Sequence, residues 1–263
     1  MKTVHSRDEV LDKIEKTSWD VVVIGGGITG AGILRESARH GLKALLLEQK
    51  DFAWGTSSRS TKMVHGGLRY LKEGNIGLTR ESVIERENLI KELPGLVEEK
   101  TFIIPAYKGK LSSRLALHAG LIIYDILSGK WRRHSCSFDE LRKRVPSIGG
   151  QNLKGGFFLK DAVTDDARLV LRVLKEAINE GASALNYCKV TSLVKNNHQV
   201  DGVEFENSET GMKHKVSGRI VINATGAWAD RLRSQITKKN NEAIRPLRGS
   251  HIILPAERLP LID

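Results

Sequence analysis

Cysteine is nearly absent: Cys136 and Cys188 are the only two in 263 residues. They are too few for a disulfide framework and lack metal-ligand spacing, so both read as buried, inert thiols and no metal site is expected. Aromatic residues are scarce at 5%. Neither a nucleic-acid motif nor a basic helix with stacking residues is present, so no nucleic-acid partner is expected in spite of a net charge of +11. No apolar run approaches the roughly 20 residues that span a bilayer. The stretch MKTVHSRDEVLDKIEKT lacks the apolar centre of a signal peptide, which points to a cytoplasmic location. The positive excess calls for an anionic substrate, an anionic cofactor or an acidic membrane surface. Hydrophobic content of 40% and charged content of 28% are ordinary for a globular chain with a substantial core.

What the chain does have is concentrated between Trp19 and Glu48, WDVVVIGGGITGAGILRESARHGLKALLLE. An apolar run, Val21 to Ile24, meets a glycine turn that opens a helical pattern ending at Gly41. A second apolar run, Ala44 to Leu47, ends on Glu48. Gly25, Gly27 and Gly30 stand in the order G-x-G-x-x-G. The first makes the turn, the second admits a pyrophosphate to the backbone, and the third lets the helix lie on the strand. The helix N-terminus offers free N–H groups to that pyrophosphate. Glu48 stands where a carboxylate accepts from a ribose, which disfavours a 2′-phosphate and leaves FAD or NAD. Leu34, four residues after Gly30, takes a place usually held by a small residue. It should push the helix outward or be absorbed by repacking.

Upstream, Ser6 and Glu9 form a capping box before a short amphipathic helix with Val10, Leu11 and Ile14. Downstream, DFAWGTSSRSTKMVHGGLRYL at 51–71 lacks periodicity and is dense in Gly, Ser and Thr, so it reads as irregular backbone suited to a polar ligand. A helix is expected over 81–93, a short strand over 101–104, and an apolar helix over 111–127 flanked by Lys108, Lys110, Lys130, Arg132 and Arg133. With Trp131 that helix reads either as a membrane-surface contact or as a core helix with solvated ends. A strand over 155–161, a helix over 165–181 and strands near 183–194, 199–206 and 213–222 follow. The last runs into Ala224-Thr225-Gly226, small residues that let backbone approach a cofactor before a helix starting near Ala227. Residues 243–255 read as a further strand carrying Arg245, Arg248 and His251.

The turn GGGITGAGI followed by GTSSRSTKMVHGGLRYL strongly resembles the FAD-dependent, aerobic glycerol-3-phosphate dehydrogenases, in their N-terminal half. DAVTDDARLVLRVLKEAINEGA, INATGAWAD and RPLRGSHIILP match the same family in the same order. The resemblance implies an α/β chain: a Rossmann-like FAD-binding domain interleaved with part of a mixed-sheet substrate domain. The divisions expected are 17–95 and 151–235 for the FAD domain, 96–150 for the first part of a substrate or cap region, and 236–263 for the start of the substrate-domain sheet. It implies FAD as cofactor, with Thr56, Ser57, Ser58, Lys62, Gly66 and Gly67 along the flavin. It also implies a backbone contact from Val190 to the adenine, and Ala224 and Gly226 against the dinucleotide. The implied reaction is oxidation of sn-glycerol 3-phosphate to dihydroxyacetone phosphate, with electrons passing to quinone; the alternatives are an oxidase using oxygen or a catalytically incomplete FAD-binding fragment.

Removing a hydroxyl proton as hydride leaves for a flavin asks for a base near neutral pH, and His251 and His65 are the candidates. His5, His40, His118, His134, His198 and His214 read as surface residues. Arg69 and Tyr70 match the substrate-contacting positions of the resembled family, with Arg248 a further candidate for the phosphate. That family is longer than this chain, so a C-terminal half is a candidate partner chain, and the protein is expected to be cytoplasmic or peripheral on the cytoplasmic membrane face.

Overall fold

The computed structural model describes residues 7–107, 111–129, 133–150, 152–197, 199–236 and 243–258. In chain order the elements are α1 (Arg7–Lys16), β1 (Trp19–Ile24), α2 (Ile28–Arg39), β2 (Ala44–Leu47), β3 (Met63–Val64), α3 (Leu68–Lys72), α4 (Ile76–Glu92) and β4 (Val97–Tyr107). Then come α5 (Leu111–Ser128), β5 (Arg133–Cys136), α6 (Phe138–Arg144), β6 (Leu153–Thr164), α7 (Asp166–Asn179), β7 (Ser183–Leu185), β8 (Cys188–Asn196), β9 (Gln199–Asn207), β10 (Lys213–Asn223) and α8 (Ala229–Arg233). Short 3-10 turns lie at Thr56–Ser58, Gly226–Trp228 and Ala256–Arg258. The chain divides into two units, Met1–Ser60 with Asp165–Leu247 and Thr61–Thr164 with Arg248–Asp263.

The first unit is built on a six-stranded sheet in the order β7-β2-β1-β10-β9-β8. β1 is central, with β2 and β10 parallel on either side of it. A strand with parallel neighbours covered on both faces has no wet side, which accounts for the unbroken VVVI and ALLL runs. Val22, Ile24, Leu45 and Leu47 face a core with Phe205 and with Leu11 and Ile14 of α1. Val21, Val23 and Leu46 face a core with Leu34 of α2 and with Val170 and Leu174 of α7. Leu34 is fully buried there, so repacking absorbs it and its burial contributes about 2 kcal/mol. α7 starts on Asp165, whose side chain accepts the Arg168 N–H at 3.1 Å. α1 is tied down by Arg7, which donates to the Asn186 carbonyl at 2.6 Å. β10 changes partner along its length: Lys213–Ser217 pair antiparallel with β9, and the remainder runs parallel to β1.

The second unit holds an antiparallel sheet in the order β3-β6-β4, with β5 also on β6. Val83 of α4 and Leu121 and Tyr124 of α5 pack with Phe157 and Leu159 of β6. α6 carries a full capping box between Ser137 and Glu140. No described helix is long and apolar enough to cross a membrane.

Several expectations need correction. The two units divide at 60/61, 164/165 and 247/248, and β3 and β4 both pair with β6 inside the second unit. The irregular stretch 51–71 becomes ordered near its end, as β3 and as α3, whose Leu68 and Leu71 pack on that core. The strand expected over 243–255 is not one. A strand needs a ladder for its N–H and C=O groups, and no described strand pairs with this segment, whose Ile244 N–H goes to the Asp230 carboxylate at 2.9 Å. Ile252 and Ile253 accordingly stand 85% and 94% exposed. His214 is not a surface residue: it stacks on Phe205 with centroids 5.1 Å apart, and its Nδ1 lies 2.9 Å from a Glu15 oxygen. Ser6, His5, His198, Lys108, Lys110, Lys130, Trp131 and Arg132 lie outside the described residues.

Candidate functional site

The first unit shapes one cavity of about 590 Å³ over the C-terminal ends of β1 and β2. Its floor is the glycine turn. Gly25 has φ +112°, and a Cβ there would sit 2.5 Å from the Ala224 carbonyl oxygen. A Cβ on Gly30 would sit 1.9 Å from the Gly25 oxygen, so only glycine lets α2 start this close to β1. Gly27 is the N-cap of α2, a helix with no acid in its first turn. Its partial positive end therefore faces the cavity with no acid in that turn to cancel it.

Gly25, Gly27, Glu48, Thr56, Ser57, Val190, Ala224 and Gly226 all line this cavity. Gly30 supports the turn from behind. Ser58 instead bonds the Gly55 carbonyl at 3.4 Å. Glu48 is 9% exposed and takes the Gly26 N–H at 2.7 Å and the Lys50 N–H at 2.9 Å. Each oxygen keeps lone-pair capacity for a further donor such as a ribose hydroxyl. Gly26, absent from the motif reading, is needed for this contact: its Cβ would lie 2.8 Å from that of Glu48. The signal was the middle glycine of the GGG run. Trp54 and Trp228, also unassigned by the sequence, wall the cavity with ring centroids 5.7 Å apart. Cys188 lines it as a buried thiol, and burial pushes its pKa up to about 11.

The other sequence candidates belong to the second unit. Lys62 adopts φ +59°, and its carbonyl accepts the Thr164 N–H at 2.9 Å. His65 is exposed, and its Nδ1 accepts the Gly67 N–H at 3.2 Å, which leaves the neutral ring protonated on Nε2. Tyr70 meets the His65 ring edge-on at 6.1 Å. The Arg69 backbone lies in α3, and its side chain is outside the described residues. Gly66 donates to the Tyr124 hydroxyl at 2.9 Å, and that hydroxyl also receives Arg86. Arg86 is fully buried and pairs with Asp161 at 2.8 Å. Burial works against its charge, and the Tyr124 oxygen and Asp161 carboxylate outweigh it, so the Arg86 pKa moves up. Burial likewise pushes Tyr124 up to about 12. Nothing in the spacing of Arg86, Tyr124 and Asp161 announced this network. Arg248 and His251 are exposed, and among the described residues no hydrogen bond, ion pair or ring contact joins either to His65 or Tyr70.

The sequence matches the FAD dependent oxidoreductases over residues 20–263. The chain belongs to that family. Among its relatives, the aerobic glycerol-3-phosphate dehydrogenases of Staphylococcus epidermidis and Bacillus subtilis are each 38% identical, over 97% of this chain and 46% of theirs. This member thus spans about half the length of the curated relatives it matches. The glycerol-3-phosphate dehydrogenase of Bacillus halodurans, solved with FAD, superposes with a TM-score of 0.70 at 32% identity, covering 88% of this chain and 38% of that one. An L-α-glycerophosphate oxidase from Mycoplasma pneumoniae shares the fold, with a TM-score of 0.63 at 19% identity over 83% of this chain and 57% of the other. The family's cofactor fits the geometry: two glycines closed against backbone, a helix N-terminus free of acid, and a buried carboxylate with spare lone pairs, all on one cavity.

Proposed function

We propose that this chain forms the FAD-binding part of a flavoprotein that oxidises sn-glycerol 3-phosphate to dihydroxyacetone phosphate and passes electrons to quinone. The glycine-floored cavity carries the reading, and the relatives' substrate supports it. Gly25, Gly27 and the α2 N-terminus hold the pyrophosphate, Glu48 the ribose, and Val190 the adenine through its backbone; Thr56, Ser57, Ser58, Lys62, Gly66 and Gly67 run along the flavin. FAD, when bound, supplies the hydride acceptor. His251 is the base for the substrate hydroxyl. His65, whose Nδ1 is occupied by Gly67, offers its Nε2–H as a donor. Arg69 and Arg248, with the Tyr70 hydroxyl, hold the substrate phosphate. The exposed Ile123 and Ile126 of α5 support contact with an anionic membrane surface.

A second reading has a specific observation in its favour. Leu247, Ile252 and Ile253 are exposed and unpaired by any described residue, so a segment equivalent to the remaining half of the relatives is the partner that completes the site. One experiment addresses both. The purified chain is mixed with FAD, desalted, and its spectrum recorded before and after glycerol 3-phosphate is added. Retained yellow colour that bleaches supports catalysis by the chain alone. Yellow protein that does not bleach until the remaining half of a relative is supplied supports the second reading, and colourless protein overturns cofactor binding. Hydrogen peroxide formed during turnover would replace quinone by oxygen as acceptor.

A further inference from the structure

The cavity wall carries a charge that the motifs do not assign. Its one acid, Glu48, already accepts two backbone N–H groups. Two cations line the same space, Lys189 on β8 and Arg231 on α8. Lys189 stands opposite Glu206 in the β8–β9 register and has a carboxylate for a neighbour. Arg231 has none. Asp230, beside it in the chain, receives the Ile244 N–H at 2.9 Å and pairs with Arg233 at 2.8 Å. Those contacts, the backbone hydrogen bond first, hold the Asp230 carboxyl below its usual range and fully engaged. Among the described residues no hydrogen bond or ion pair occupies the Arg231 guanidinium. The helix end that serves this cavity is also partly spent: the Ile28 N–H, one of the free donors of α2, is taken by the Ser57 hydroxyl at 3.0 Å. A doubly charged pyrophosphate in the cavity would therefore find fewer backbone donors than a bare helix terminus offers, and an unpaired guanidinium on the same wall.

We propose that Arg231 is a phosphate-binding residue of this cavity, its planar fork closing on the pyrophosphate of the bound dinucleotide. The proposal rests on the dinucleotide reading above. Arginine suits the task because it stays charged and offers two parallel N–H donors to one phosphate. Its long side chain is exposed and, among the described residues, unpaired, so binding breaks no ion pair among them. The residue thus acts on the charge of the ligand and not on its rings.

The test measures binding of adenosine, ADP and FAD to the full chain by titration calorimetry, for the unaltered protein and for Arg231→Gln, Arg231→Lys and Arg219→Gln. Arg219 is a surface cation, 80% exposed and paired with Asp20, and controls for net charge. Arg231→Gln is expected to weaken ADP and FAD about tenfold, the scale of a lost charge-assisted bond, and to leave adenosine unchanged. Arg231→Lys should fall between. An equal loss for adenosine, or losses for ADP and FAD no larger than those in Arg219→Gln, overturns the proposal. Unaltered protein that binds none of the three overturns the dinucleotide reading itself, a different failure. Should Arg231→Gln not fold, the unaltered protein still decides: ADP affinity must fall with added salt more steeply than adenosine affinity, and equal slopes overturn the assignment.

Discussion

Gly30 shows how little room the site leaves to a single atom. An added Cβ would lie 1.9 Å from the Gly25 oxygen, a backbone atom held by β1 and unable to step aside. Gly30→Ala is expected to destabilise the first unit by about 1–3 kcal/mol, as overpacking does, and to abolish dinucleotide binding; urea unfolding and calorimetry check the two effects. In the second unit, Arg86→Met would leave Asp161 as an unpaired buried carboxylate, at a cost of about 3–5 kcal/mol. The double change Arg86→Met, Asp161→Leu should cost less than the single one, and a double-mutant cycle in urea measures the difference. Cys188 supplies a pH effect of definite sign. Its thiol has a folded pKa pushed up to about 11 by burial, above that of an unfolded cysteine. The folded state therefore keeps a proton that the unfolded state gives up. The resulting stability is fully present below the unfolded pKa and is lost as pH rises toward about 11. Melting curves across that window should show the decline, and Cys188→Ala should flatten it.

At the level of elements, α7 depends on its cap. Asp165→Ala removes the acceptor for the Arg168 N–H and should cost about 1 kcal/mol, read from a denaturant midpoint. The span of α7 and the whole β1, α2, β2 unit were legible in the sequence, because each rests on a clean period. The site was legible to the same depth: the glycines and Glu48 follow from local spacing. What escaped has a common cause. Gly26 matters through Glu48, Tyr124 through Gly66, and Arg86 through Asp161, all pairs distant in the chain with no local pattern. Residues 243–255 misled in the opposite direction. Their composition is that of a strand, but composition does not provide the neighbour that a strand requires.

For the molecule as a whole, unmet apolar surface is the dominant physical fact. Ile220 on β10, Leu247, Ile252 and Ile253 are 57%, 87%, 85% and 94% exposed, and β4 is an edge strand of eleven residues. Exposed apolar side chains and open edges favour association, against which a net charge of +11 provides repulsion. The isolated chain should bind the dye ANS and should self-associate more as salt screens that charge; Ile252→Lys, Ile253→Lys should lower dye fluorescence, and light scattering follows the association. The glycine turn has a history as well as a shape. Gly25 is closed by Ala224, and β1 gains its second parallel neighbour only from β10, near the far end of the described chain. On a ribosome the motif emerges early yet must wait until β10 has been synthesised. The cofactor pocket is therefore a late product of folding, and an interrupted chain would display the fingerprint without the cleft.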